Sequence, residues 1–280
     1  MGVGSHEVKL LLSAVAEGVS FERTITLGRQ RLVVSQGELA HLTRGRMSVA
    51  AVAAVERGRP YADELFRQLG AREVLAMDAS PYEGAGLIQD LNAPLFAQNL
   101  QHCGRATLVF DGGTIEHVFN LPAALANCMR LLSVGGHFVG SSPANNQCGH
   151  GFYQLSPELF HRAFGPSTGF SITKLILAEY VRDGAWFEAL DPAVVGPAPV
   201  MSTIPLEILV IAKKTSEVAP FEKWPQQSFW ESQWKRTARI SHRRKWLKSA
   251  LARAFPRVRS LVGALRGPKA RPHAFRSRAS

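Results

Sequence analysis

The chain has 280 residues, 46% of them hydrophobic and 20% charged, with a formal net charge of +11. That is ordinary globular composition at a length that can bury a full core, which excludes collagen, coiled coil and wholesale disorder. The charge is uneven: residues 1–212 hold 15 Lys+Arg against 19 Asp+Glu, and residues 213–280 hold 18 against 3, so a mildly acidic domain precedes a strongly basic tail.

Taken from the amino terminus, the first apolar stretch, Leu10 to Ala16, is too short to cross a bilayer, and no basic segment precedes a signal-like core. The start Met1-Gly2-Val3-Gly4-Ser5-His6 has histidine where a myristoylation signal wants Ser or Thr. From Arg23 onward, short β-rich runs alternate with helical segments, the pattern of a parallel α/β sheet. Strands are expected at Thr24 to Leu27, Glu73 to Asp78, Ala106 to Asp111 and His137 to Ser141, each mostly apolar and each ending in a polar loop. Tyr61 to Leu69 reads as a helix stopped by Gly70. Pro122 to Leu132 reads as a helix entered from Asn120 and stopped by Gly135-Gly136. Ser156-Pro157-Glu158 opens another, with Ser as cap and Pro in the first turn. Two further strand candidates, Phe170 to Val181 and Pro205 to Ala212, could pair as an antiparallel edge.

Ligands of open parallel sheets bind outside the carboxyl ends of the strands. On that rim the sequence places Gly28 to Gln30, Asp78 to Ser80, Asp90 in Ile88-Gln89-Asp90-Leu91-Asn92, Asp111 to His117, and Asn145 to His150. Several carboxylates ending separate strands suit a ligand with separate hydroxyl and amino donors, such as a nucleoside. Over roughly Glu22 to Ala212 the chain resembles the class I S-adenosylmethionine-dependent methyltransferases. The stretches that carry the resemblance are Phe110-Asp111-Gly112-Gly113-Thr114-Ile115-Glu116-His117-Val118 and, after a helix, Leu131-Leu132-Ser133-Val134-Gly135-Gly136-His137-Phe138-Val139. The resemblance implies a mostly parallel, doubly wound, Rossmann-like sheet of seven strands whose last two form an antiparallel hairpin, with S-adenosylmethionine as cofactor. It also implies that Asp78 accepts from the ribose hydroxyls, that Asp90 faces the adenine amino group, and that Gly28 lets the backbone approach the methionine part. Gln30, Ser80, Leu91, Asp111 and Gly112 complete the expected cofactor rim. In place of a loop with several glycines, the first strand is followed only by Leu27-Gly28-Arg29-Gln30.

Methyl transfer depends mainly on lining the acceptor up behind the methyl, and a base near neutral pKa helps when the acceptor is a hydroxyl. His150 and His117 are the expected bases, with Glu116 orienting the histidine. The plain alternative for Glu116-His117 is a loop pair bonding backbone amides. Two rival functions stay open: a methyltransferase-like binding module without catalysis, which the thin glycine loop favours, and a hydrolase using a metal at Asp111, Glu116, His117 and His150. The hydrolase ranks third, and no metal ligand set is expected, because no spacing such as HExxH fixes one.

Cys103, Cys128 and Cys148 lack CxxC spacing, so a reducing, cytoplasmic setting fits best. A domain boundary is expected at 214/215, with a basic, Trp- and Arg-rich extension over 215–280, partly helical and partly disordered. Across 228–265 an interrupted apolar face among Lys and Arg suggests peripheral contact with a membrane surface or an acidic partner. Nucleic acid is disfavoured by the negative charge of the domain, and the methyl acceptor is expected to be a small molecule or a glycan- or lipid-linked group.

Overall fold

A computed structural model describes residues 2–196 and 200–234. In chain order these form β1 (Gly2–Val3), α1 (Ser5–Ala16), β2 (Arg23–Leu27), β3 (Arg31–Leu32), α2 (Gln36–Leu42), α3 (Val49–Arg57), α4 (Asp63–Gln68), β4 (Glu73–Asp78) and β5 (Leu87–Ile88). There follow β6 (Ala106–Gly112), α5 (Leu121–Leu131), β7 (Leu132–Pro143), α6 (Pro157–Ala163), β8 (Phe170–Glu179), β9 (Trp186–Glu188), α7 (Pro192–Val195) and β10 (Leu206–Lys214). Eight strands make one sheet in the order β5-β4-β2-β6-β7-β10-β8-β9, while β1 and β3 pair separately. Pairing from β5 through β7 is parallel. β10 runs antiparallel to both β7 and β8, which is the expected hairpin inserted at the edge. The sheet exceeds the expected seven strands because Trp186–Glu188 folds back on β8, pairing Trp186 with Ala178.

Inward-facing residues alternate along each strand and build two cores, one per sheet face. Leu108, Phe110, Val139, Leu209 and Ile211 pack with α1, α3 and α4 residues such as Leu11, Val55 and Phe66. Val109, Phe138, Ile208 and Val210 pack on the other face with Leu125 and Met129 of α5, Phe160 of α6 and Phe164 at its carboxyl cap. Helix starts follow local chemistry: the side chains of Asn120 and Ser156 accept from Ala123 N and Leu159 N, each with proline in the first turn.

Several boundaries differ from the sequence expectation. The helix expected over Tyr61 to Leu69 is limited to Asp63–Gln68, with Tyr61 in an isolated bridge to Arg31. Gly135-Gly136 does not stop α5: Leu132 is already extended at the helix end, and the glycines lie inside β7, where the pairing with β6 shifts register between Ala106 and Leu108. The long run after Gly28 holds, besides the expected α4, β3 and the helices α2 and α3, and α1 covers a sheet face; apart from α4 none of these was expected from sequence.

Past the charge boundary the chain stays attached to the domain. Thr215 N donates to Gly169 O at 2.8 Å, Phe221 packs against the core, and both Ser228 N and Oγ donate to the Glu158 carboxylate. One compact unit accordingly runs to Phe229. The expected basic amphipathic segment over 228–265 lies outside the described residues beyond position 234. Among the described residues no helix is long and apolar enough to cross a membrane. All three cysteines are free.

Candidate functional site

Strand order reverses between β2 and β6, whose neighbours lead off in opposite directions, so the crevice for a ligand opens at their carboxyl ends. Gly28 follows β2, held at φ 69°, a left-handed conformation that favours glycine. Beside it, Gln30 and Thr114 are both tied to the Leu27 carbonyl, Gln30 through Nε2 and Thr114 through Oγ1 at 2.7 Å. β6 ends in Asp111 and Gly112. Gly112 is a tight cradle, since a side chain there would collide with the amide of Gln30. Asp111 is fully buried; its Oδ1 accepts from Thr114 N at 2.8 Å, and its Oδ2 has no partner. Burial, and then the negative charge of Glu116, push its carboxyl well above the usual range.

Asp78 ends β4 and Ser80 follows it, and Asp90 and Leu91 follow β5, two strands away from β6 and beyond. Asp78 is half-buried, and its Oδ1 accepts from Ser80 N at 3.3 Å. Asp90 is exposed and caps its own turn, accepting from Asn92 N at 2.8 Å, while Leu91 is buried in the core. The structure thus sets Gly28, Gln30, Asp111 and Gly112 side by side, and Asp78, Ser80, Asp90 and Leu91 along the rim on the β4 side.

The second half of the rim assembles the expected catalytic residues. After Gly113, at φ 84°, a 3-10 turn carries Ile115–His117. The loop following β7 is laid against this turn: Phe152 N donates to Glu116 O at 2.8 Å. Gly151 makes that approach feasible, because a β-carbon there would lie 2.9 Å from Glu116 O. Gln147 Nε2 donates to Leu206 O at 2.6 Å and Tyr153 OH to Phe119 O at 2.7 Å, pinning both ends of the loop. The result brings His150 Nε2 to 3.5 Å and His117 Nε2 to 3.9 Å from Glu116 Oε1. Glu116 is fully buried, and neither carboxylate oxygen accepts a hydrogen bond from another residue. Burial raises its pKa to about 7. No backbone amide of a neighbouring residue reaches the Glu116 carboxylate.

His150 and Gly112 also line a cavity of about 480 Å³ whose other walls the sequence reading missed: His6 and Glu7 of α1, Ser141, Tyr180 and Glu207. His6 Nδ1 lies 3.0 Å from Glu207 Oε2, both buried. Burial lowers the His6 pKa, and burial followed by the charge of Glu7 raises that of Glu207, so the two favour a neutral pair sharing one proton. The signal was available in Pro205 to Ala212, where Glu207 is the single charge in an apolar strand. A group whose folded pKa is raised supplies stability that is complete below its unfolded value and is lost as pH rises through the folded one. Glu207→Gln keeps a donor for His6 without charge. It is expected to exceed the parent in stability by about 1 kcal/mol or more at pH 8, with the gap closing toward pH 4; urea unfolding across pH that shows no such trend would refute the neutral pair.

A mostly parallel sheet whose β8 and β10 pair antiparallel is what the class I methyltransferase resemblance implies, and the chain has that Rossmann-like fold. No protein-family model and no curated relative matches the chain. Solved structures that it is similar to include 1,6-didemethyltoxoflavin-N1-methyltransferase of Burkholderia thailandensis, which has S-adenosylhomocysteine bound, at 13% identity and TM-score 0.41, covering 76% of this chain and 79% of that one. A SAM-dependent methyltransferase of Archaeoglobus fulgidus matches at 13% identity and TM-score 0.38, covering 75% and 95%. Geranyl diphosphate methyltransferase in complex with SAM matches at 14% and 0.38, covering 75% and 85%. These overlaps are partial, and the fold assignment rests on the order and direction of the strands of this chain.

The residues present suit the cofactor that the resemblance implies. Two buried acceptors without donors, Gln30 Oε1 and Asp111 Oδ2, flank the Gly112 cradle at the β2 and β6 ends, where an ammonium group would satisfy them.

Proposed function

We propose that the chain is an S-adenosylmethionine-dependent methyltransferase acting on an oxygen or nitrogen of a small molecule or a glycan- or lipid-linked group. The observation that carries this reading is the sheet itself, with its reversal of strand order between β2 and β6 and acidic residues ending or following β4, β5 and β6. When bound, the cofactor supplies an electrophilic methyl group on a sulfonium. Asp78 would accept from the ribose hydroxyls and Asp90 from the adenine amino group, with Ser80 and Leu91 beside them; Gly28, Gln30, Asp111 and Gly112 would hold the amino-acid end. The cavity beside Gly112 would take the acceptor. His150 and His117, with Glu116 between them, are the groups placed to orient the acceptor and receive its proton.

One observation favours the second reading, a methyltransferase-like module without catalysis. Gln30 is almost fully buried and packed against Gly112, in the space that a glycine-rich loop would leave open. Calorimetric titration with S-adenosylmethionine and S-adenosylhomocysteine separates the two: saturable binding of both is expected, and binding of neither would leave the non-catalytic module.

The net charge of +15 carried by residues 213–280 supports a role for the tail at a membrane surface, since each Lys or Arg near an anionic leaflet contributes about 1 kcal/mol. The full chain is expected to sediment with phosphatidylserine-containing vesicles at low salt and to be largely released at high salt. No sedimentation, together with salt-sensitive retention of RNA, would transfer the tail to a nucleic-acid partner.

A further inference from the structure

Glu116 presents a chemical problem that the methyltransferase reading does not solve. Its carboxylate is sealed in the protein with no donor from any other residue, and buried carboxylates are paired or coordinate metals. Among the described residues two imidazoles approach Oε1, both through Nε2, at 3.5 and 3.9 Å. These separations are too long for N–H···O hydrogen bonds. They are close to the edges of a metal polyhedron: ligands held about 2.1 Å from a tetrahedral ion lie about 3.4 Å apart. Three ligand atoms, one from each of Glu116, His117 and His150, all fall within 4.8 Å of one another. The two rings are tilted by 55° at a centroid separation of 5.1 Å, so they converge on Oε1 without stacking.

The scaffold holds this arrangement from both sides. The 3-10 turn at Ile115–His117 fixes the two adjacent ligands, and the bond from Phe152 N to Glu116 O, made over Gly151, fixes the third. Both imidazoles are half-exposed, so an ion can reach them, and His150 lines the cavity beside Gly112.

We propose that Glu116, His117 and His150 bind one divalent transition-metal ion, zinc or a similar borderline cation, with a coordination position left open to the cavity. Two imidazoles and a carboxylate suit such ions, and three protein ligands with an open position are the pattern of sites that bind a substrate oxygen. An acceptor hydroxyl in that position would be polarised and would release its proton more readily, to water in the cavity rather than to either histidine, whose Nε2 would hold the ion. The spacing that no sequence motif announces is created by folding, which brings a loop after β7 onto the turn after β6.

The ion binding itself does not depend on the methyltransferase reading, and its test does not use methyl transfer. Full-length protein without a polyhistidine tag is dialysed against EDTA and titrated with Zn²⁺ alone by calorimetry. One equivalent is expected to bind saturably, and Co²⁺ in its place is expected to give visible d–d absorption. His117→Asn, His150→Asn and Glu116→Gln are each expected to weaken Zn²⁺ binding about a hundredfold or more, whereas His41→Asn, at an exposed position on α2, leaves it unchanged. Both histidines are half-exposed, so their variants serve even if the buried Glu116→Gln perturbs folding. Absence of saturable binding, or parental affinity in the His117→Asn/His150→Asn double variant, overturns the proposal. Titration with S-adenosylmethionine is scored separately, so either reading can fail while the other stands.

Discussion

Asp78→Ala is expected to weaken S-adenosylmethionine binding about ten- to a hundredfold, because a hydrogen bond to a charged group contributes about 1.5 to 3 kcal/mol. Asp78 ends β4, and its carboxylate accepts from Ser80 N at 3.3 Å, a weak internal contact. Its capacity to accept is therefore largely available to a ligand. The fold should tolerate the change, since Asp78 is only partly buried and its backbone partners, Ile88 and Gln89, are held through main-chain pairing. Asp78→Asn sharpens the test: it keeps shape and one acceptor while removing charge, so its affinity should fall between parent and alanine variant. Calorimetry reads all three. If the alanine variant binds as the parent does, Asp78 is no cofactor ligand and the ribose assignment is lost.

Phe164→Ala is expected to destabilise the domain by about 3 to 5 kcal/mol, the range for a large aromatic truncated in a close-packed core. Phe164 terminates α6 and is completely buried. Its ring stacks on Phe138 of β7 at 4.8 Å and on Phe160 at 6.4 Å, and it meets Phe170 of β8 edge-on at 5.2 Å. One side chain thereby joins a helix to two strands separated in the sheet by β10, and its removal leaves a void that no single neighbour can fill. Over a unit of this size the loss corresponds to a melting temperature lower by roughly 10 °C. Phe164→Leu, which retains most of the volume, should lose much less. A thermal scan in which Phe164→Ala melts with the parent would show that this aromatic cluster does not hold α6 to the sheet.

The resemblance, together with the hydrophobic pattern, made the sheet legible in advance. Glu73–Asp78 is a strand with the expected bounds, β6 differs only by Gly112, and β8 and β10 pair antiparallel as anticipated. A strand buried on both faces must be apolar throughout, so such runs are visible without tertiary information. Short elements were not visible. β9 has three residues, and at that length no periodicity exists to detect. The Gly135-Gly136 pair misled because glycine breaks a helix as readily as it permits an irregular strand, and only the pairing of β7 with β6 decides between them.

What the sequence by itself determined is the α/β class, the separation of an acidic domain from a basic tail, and which polar residues end the strands, all of which follow from local composition and from the period of burial. What only the tertiary structure decided is proximity. Nothing local to Glu116 and His150 places them together; the left-handed Gly151, the Phe152 amide on Glu116 O and the anchoring of Gln147 on Leu206 bring them to 3.5 Å. The same holds for His6 and Glu207, 201 positions apart and 3.0 Å from one another. Burial likewise arises only when helices close over the sheet. That closure strips water from Glu116 and Glu207, raises their pKa values, and turns ordinary carboxylates into groups that need a proton, a partner or a cation.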